Sequence, residues 1–118
     1  MEYQTKEKVS EMHERGSKYR PLPSVVWKKN HVYELEKRMD DVAMYRQIDR
    51  KTNQVIGYEV FIVQRRKERT INGKVLPAVE VYPVDKDFGM TAYAPSTLAH
   101  AEVRYQQLID RVNARNKG

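Results

Sequence analysis

Residues 55–66 read VIGYEVFIVQRR, and after four intervening residues the chain continues with Ile71-Asn72-Gly73-Lys74. The first segment is rich in β-branched and aromatic residues, which favour a strand. Because side chains alternate along a strand, its apolar residues fall on both faces, as is typical of a strand inside its sheet. The Asn72-Gly73 pair suits a tight hairpin turn that needs positive φ angles. We therefore predict a hairpin that turns at residues 72 and 73.

The neighbouring segments extend this hairpin into a sheet. Residues 42–48 read VAMYRQI and predict a strand, which a polar turn at residues 49–54 joins to the strand that starts at Val55. Residues 75–83 predict the return strand of the second hairpin. Pro77 and Pro83 lack a backbone N–H, so this strand belongs at an edge. The result is a three-stranded antiparallel β-meander.

The C-terminal segment predicts a helix. Apolar residues recur at helical spacing after a loop at residues 85–95, with Ser96 or Thr97 as the N-cap. The members of this stripe are Leu98, Ala101, Tyr105, Leu108 and Val112. The opposite side is polar and mostly basic. We expect the apolar stripe to pack on the meander, which makes the fold class α+β.

Residues 24–39 predict a short N-terminal helix. Val32, Leu35 and Met39 recur on one side of a helix, and Asn30 is placed to cap it. Trp27, the only tryptophan, lies in an apolar patch just before Asn30. We expect Trp27 to pack against the core.

The chain has the length of one domain. Of its 118 residues, the first 23 predict a flexible basic and polar tail, because they contain few apolar residues to offset the entropy of ordering. Residues 24–115 predict a single α+β domain, and residues 116–118 a frayed C-terminus. The chain has no cysteine and no apolar run long enough to cross a bilayer, so we expect a cytoplasmic protein without disulfides and without a membrane partner.

Sequence patterns for catalysis are missing. The three histidines do not have the spacing of metal ligands. The chain also lacks the two glycine-rich motifs that hold phosphates, Gly-x-x-x-x-Gly-Lys-Ser/Thr and Gly-x-Gly-x-x-Gly. We therefore expect no catalytic residues, no metal site and no cofactor, which makes an enzyme the least favoured class.

Positive charge is concentrated in the second hairpin. The formal net charge is +6, and residues 65–74 alone hold five Lys or Arg against one Glu. Such a cluster attracts polyanions, so we predict that the hairpin binds DNA or RNA. The predicted contacts are Arg65, Arg66, Lys67, Arg69 and Lys74, with Arg46, Arg50 and Lys51 at the first hairpin and a secondary basic helix face of Arg104, Arg111 and Arg115. A hairpin that uses its charges only for solubility would have the same pattern.

The predicted layout resembles small DNA-binding domains. Three antiparallel strands followed by one helix, over residues 42–113, are similar in layout to integrase amino-terminal arms and plant AP2-type factors. That resemblance implies a sheet that lies in the major groove, with the second hairpin inserted.

A different class of function remains open. Small basic proteins without cysteine also occur among phage and mobile-element products that inhibit a host protein or nucleoprotein complex, for example a CRISPR effector. In that case Trp27 is the expected protein contact, because aromatic anchors favour binding hot spots.

Overall fold

The computed structural model describes residues 18–117. Most of the predicted flexible tail, residues 1–17, lies outside the described residues. The described residues form two compact units, one made of residues 18–22 and 64–82 and the other of residues 23–63 and 83–117. The first is called the ribbon unit and the second the sheet unit.

The described residues contain nine strands, a 3-10 turn at Asp85–Asp87 and one helix. In chain order they are β1 (Val25–Trp27), β2 (His31–Met39), β3 (Val42–Asp49), β4 (Val55–Ile62), β5 (Gln64–Arg66), β6 (Arg69–Ile71), β7 (Lys74–Leu76), β8 (Val79–Val81), β9 (Ala92–Tyr93) and α1 (Leu98–Lys117). Five of the strands form one antiparallel sheet in the order β1-β2-β3-β4-β9. The ribbon unit holds two further two-stranded pairs, β5-β8 and β6-β7.

An antiparallel sheet with one C-terminal helix is confirmed, but the sheet has five strands and not three. The segment predicted as one strand at residues 55–66 ends its pairing in the large sheet at Ile62, and residues 64–66 pair with β8 instead. The return strand at residues 75–83 is therefore not a member of the large sheet. Its predicted place beside β4 is taken by β9, which pairs with Val60 and Phe61.

Helix α1 packs on the sheet through the predicted stripe. Ala101, Tyr105, Leu108 and Val112 are buried in one cluster with residues of β3 and β4. Leu98 is 45% exposed, so the buried stripe begins one turn later than predicted. Thr97 caps the helix, because its Oγ1 accepts a hydrogen bond from the backbone N–H of His100 at 3.2 Å. No helix among residues 18–117 is long and apolar enough to cross a membrane.

The short N-terminal helix predicted within residues 24–39 is wrong. This segment forms β1 and β2, and β2 pairs with β3 through a tight turn in which Asp40 has a φ of 51°. A β-bulge between Leu35 and Lys37 shifts the register of β2, so the two residues face opposite sides of the sheet. The bulge interrupts the alternation typical of a strand, and the spacing of Leu35 and Met39 then imitates a helix.

Trp27 does not pack against the core as predicted. It is the last residue of β1, at the edge of the sheet, and 67% of its surface is exposed. An exposed ring of this size is available for contact with a partner.

Candidate nucleic-acid interface

The ribbon unit has a high density of exposed, positively charged side chains. Its described residues include seven Lys or Arg against two Asp or Glu. All residues of β5 and β6 are exposed, as are the linking Lys67 and Glu68. The turn predicted at Asn72 and Gly73 is confirmed, with φ angles of 52° and 77°.

Strand register places several of the cations on shared faces. Arg69 pairs with Leu76 and Ile71 pairs with Lys74, so these four side chains share one face of the β6-β7 pair. In the neighbouring β5-β8 pair, Arg66 lies opposite Val79. The tip of the ribbon thus presents Arg69 and Lys74 together on one face.

Arg20 joins this arrangement from the segment before the sheet unit. It forms an isolated parallel bridge with Val79, in which the Arg20 N–H donates to Ala78 O at 2.9 Å and Arg20 O accepts from the Glu80 N–H at 2.8 Å. Because bridge partners point to the same side, Arg20 and Arg66 lie on either side of Val79 on one face. Arg20 could not be assigned to this cluster from the sequence, since only the fold brings it beside β8.

Arg65 differs from the other hairpin cations. Its Nη2 is 3.1 Å from Oε2 of Glu80, whose side chain is only 5% exposed, and its guanidinium lies 5.8 Å from the ring centroid of Tyr19. Oε1 of Glu80 accepts a hydrogen bond from the Leu22 N–H at 3.1 Å. Arg65 therefore holds residues 19–22 and Glu80 together, in addition to carrying charge.

We expect the Arg65→Ser substitution to loosen the ribbon unit. It removes a charged partner from a buried carboxylate, which destabilises by about 1–3 kcal/mol. The backbone N–H of Leu22 donates to that carboxylate, so its hydrogen exchange followed by NMR should become faster in the variant. Arg66→Ser is the matched control, because Arg66 is exposed and adjacent. Equal exchange of the Leu22 amide in both variants would contradict this structural role.

The predicted residues of the first hairpin are in two different settings. Arg46 lies within β3 and not at a hairpin tip, with its guanidinium 2.9 Å from a Glu34 oxygen and 3.2 Å from a Glu36 oxygen. Two carboxylates thus balance its charge. Arg50 and Lys51 lie in the turn between β3 and β4, where both are exposed.

The basic face of α1 is also exposed, but two of its arginines contact β9 and the loop before it. The Arg104 guanidinium lies 4.1 Å from the ring centroid of Tyr93, and Arg111 donates to Met90 O at 2.8 Å. Arg115 is exposed near the C-terminal end of the helix. These contacts fix the orientation of Arg104 and Arg111 and leave their charges at the surface.

Two buried tyrosines have shifted pKa values. Burial raises the pKa of Tyr33 and of Tyr105 above the usual range. Within residues 18–117, no three His, Asp or Glu side chains are grouped closely enough to hold a metal ion.

Comparison with protein-family models, with curated proteins and with solved structures found no match. Inference about function therefore starts from the side chains themselves. Their most pronounced chemical feature is the exposed cationic ribbon.

Proposed function

We propose that this protein is a small non-enzymatic module that binds nucleic acid by contacting phosphates through the hairpin at residues 65–74. The observation that carries the proposal is the exposure of Arg66, Lys67, Arg69 and Lys74, with Glu68 the one acidic residue among them. Phosphate contacts of this kind dominate the affinity of proteins for nucleic acids. They position the protein, whereas contacts to base edges specify the sequence.

The shape of the ribbon supports the same proposal. A two-stranded ribbon fits the major groove of B-DNA, which is about 12 Å wide. Backbone N–H groups and cationic side chains at the tip could then contact phosphates on either side of the groove. Ile71 and Val75, which are 44% and 59% exposed, add apolar surface at the same tip. The methyl group of thymine is a suitable partner for such side chains.

Other exposed cations of the sheet unit are additional predicted contacts. Arg50 and Lys51 keep their charges at the surface of one turn, and Arg104, Arg111 and Arg115 form the secondary basic face of α1. Arg46 contributes least, because Glu34 and Glu36 balance its charge. The primary contacts are thus the four exposed cations of the hairpin.

The test is fluorescence anisotropy of labelled duplex DNA, single-stranded DNA and RNA, titrated with the protein over a series of salt concentrations. We expect submicromolar binding near physiological salt. Because four phosphates are neutralised, the logarithm of the affinity for duplex DNA should fall with the logarithm of salt with a slope of about −3 to −4. Binding that disappears for all three polymers below physiological salt would reject the proposal. The next experiment would then be a pull-down of a host protein or nucleoprotein partner.

A further inference from the structure

Two loops of the sheet unit are joined at one end of the large sheet. Arg50, in the turn after β3, donates its backbone N–H to Asn30 O at 3.2 Å. Its Nη1 donates to Lys28 O at 3.0 Å and to Lys29 O at 3.3 Å. These bonds tie the loop between β1 and β2 to the loop between β3 and β4. The two loops therefore form one surface with a defined arrangement.

Trp27 lies beside this surface. The Arg50 guanidinium is 5.2 Å from the centroid of the Trp27 ring, a distance at which a cation is attracted to an aromatic face. Even with this neighbour, 67% of the Trp27 surface is exposed. An open groove adjoins the ring, and its lining combines apolar and polar residues: Trp27, Val32, Glu34, Ile48, Arg50 and Asn53. The arrangement holds a large aromatic ring beside an open groove of mixed polar and apolar character.

The surface around the ring is strongly basic. Lys28, Lys29, Arg50 and Lys51 are all exposed. The acidic residues beside them are Asp49, at the end of β3, and Glu34, which lines the groove and is paired with Arg46 at 2.9 Å. The Asp49 carboxylate faces its own turn, where it accepts hydrogen bonds from the backbone N–H groups of Lys51 at 2.7 Å and Thr52 at 3.1 Å. These bonds lower the pKa of Asp49 below its usual value. The charge presented to a partner is therefore mainly positive.

We propose that Trp27 and the cations of these two loops form a second binding site, which takes single-stranded nucleic acid by stacking a base on the Trp27 ring. It deepens the proposed function and rests on it, but it uses residues other than the hairpin. Every base has an aromatic face, so a ring within a cationic surface binds single strands with little dependence on sequence. In a duplex the bases are already stacked and paired, so their faces are not available to Trp27.

The charge around Trp27 also argues for this occupant. The Arg50 guanidinium near the exposed ring, together with the other exposed cations of the two loops, complements a phosphate backbone with unpaired bases. Two different interactions contribute to the proposed site. The lysines and Arg50 attract phosphates, and the Trp27 ring stacks with a base. An experiment on this site therefore has to distinguish base stacking on Trp27 from the attraction of phosphates to the cations.

Trp27 provides a direct readout, because it is the only tryptophan in the chain. Its fluorescence, excited selectively over tyrosine, is titrated with oligothymidylate, oligouridylate and a duplex of the same length. We expect saturable quenching by both single strands and little quenching by the duplex. A variant with Ser at Arg66, Lys67, Arg69 and Lys74 should show the same quenching, which separates this site from the hairpin.

Substitution tests the ring itself. In anisotropy titrations with labelled oligothymidylate, Trp27→Ala should weaken binding by about 5- to 150-fold, whereas Trp27→Phe should keep most of the affinity. Met90→Ala is the control, since Met90 is a similarly exposed apolar residue outside the two loops, at 70%.

Three results would overturn this inference. The first is single-strand binding seen by anisotropy without quenching of Trp27. The second is equal quenching by the duplex. The third is equal affinity of the Trp27→Ala and Met90→Ala variants for the oligonucleotide. None of them bears on duplex binding by the hairpin, so the proposed function would be judged separately from the salt dependence of duplex binding.

Discussion

A variant with Ser in place of Arg66, Lys67, Arg69 and Lys74 is expected to lose binding to duplex DNA at physiological salt and to keep its circular dichroism spectrum. The four side chains are exposed and lie in strands or links without a buried residue, so their removal leaves the hydrophobic core unchanged. The four phosphate contacts account for the expected slope of about −3 to −4 of log affinity against log salt. Any binding that remains in the variant should therefore depend only weakly on salt. Anisotropy over a salt series measures both effects.

Two comparisons make this result specific. Arg65 is left in place, because its contacts with Glu80 and Tyr19 mean that its loss would also loosen the ribbon unit. A variant with Lys at both Arg66 and Arg69 keeps the charge and should keep the salt slope, since phosphates are bound by either cation. Unchanged duplex affinity in the serine variant, together with a native spectrum, would remove the hairpin from the binding site.

The Leu108→Ala substitution is expected to cause the largest loss of stability, about 2–5 kcal/mol in the free energy of unfolding. Leu108 is fully buried in the cluster formed by α1 with β3 and β4. Alanine at this position removes apolar contacts and leaves a cavity that the rigid sheet does not fill. Urea denaturation followed by circular dichroism measures the change.

The control lies on the same helix. Val103 is 55% exposed, and Val103→Ala should change the stability by no more than about 0.5 kcal/mol. The two substitutions shorten an aliphatic side chain in the same element, so their difference reports burial. A Leu108→Ala effect as small as that of Val103→Ala would mean that α1 does not pack on the sheet through this residue.

The parts of the fold that could be predicted depend on short-range patterns. The Asn72-Gly73 turn follows from local backbone preference, and the buried stripe of α1 follows from helical spacing over several turns. β9 has no such pattern, because it consists of Ala92 and Tyr93 alone and is defined by its pairing with Val60 and Phe61. β2 has a pattern, but the bulge after Leu35 makes it misleading.

In the candidate sites, too, features set by local sequence could be predicted and features set by the fold could not. Exposed cations in the hairpin could be identified from the sequence, because a local charge cluster is visible without a fold. The role of Arg65 could not, since its partners Glu80 and Tyr19 are distant in sequence. The exposure of Trp27 was missed for a related reason: an apolar patch predicts burial unless the strand lies at an edge, and the edge position follows only from the pairing of β1 with β2.

The part of the ribbon unit that runs from β5 to β8 begins and ends on two residues that pair with each other, Gln64 and Val81. The β6-β7 pair lies between them, so it can be exchanged while β8 keeps its bonds to Arg20 and Leu22. Substitution within the β6-β7 pair can thus change the exposed cationic surface while the residues that stabilise the sheet unit stay the same.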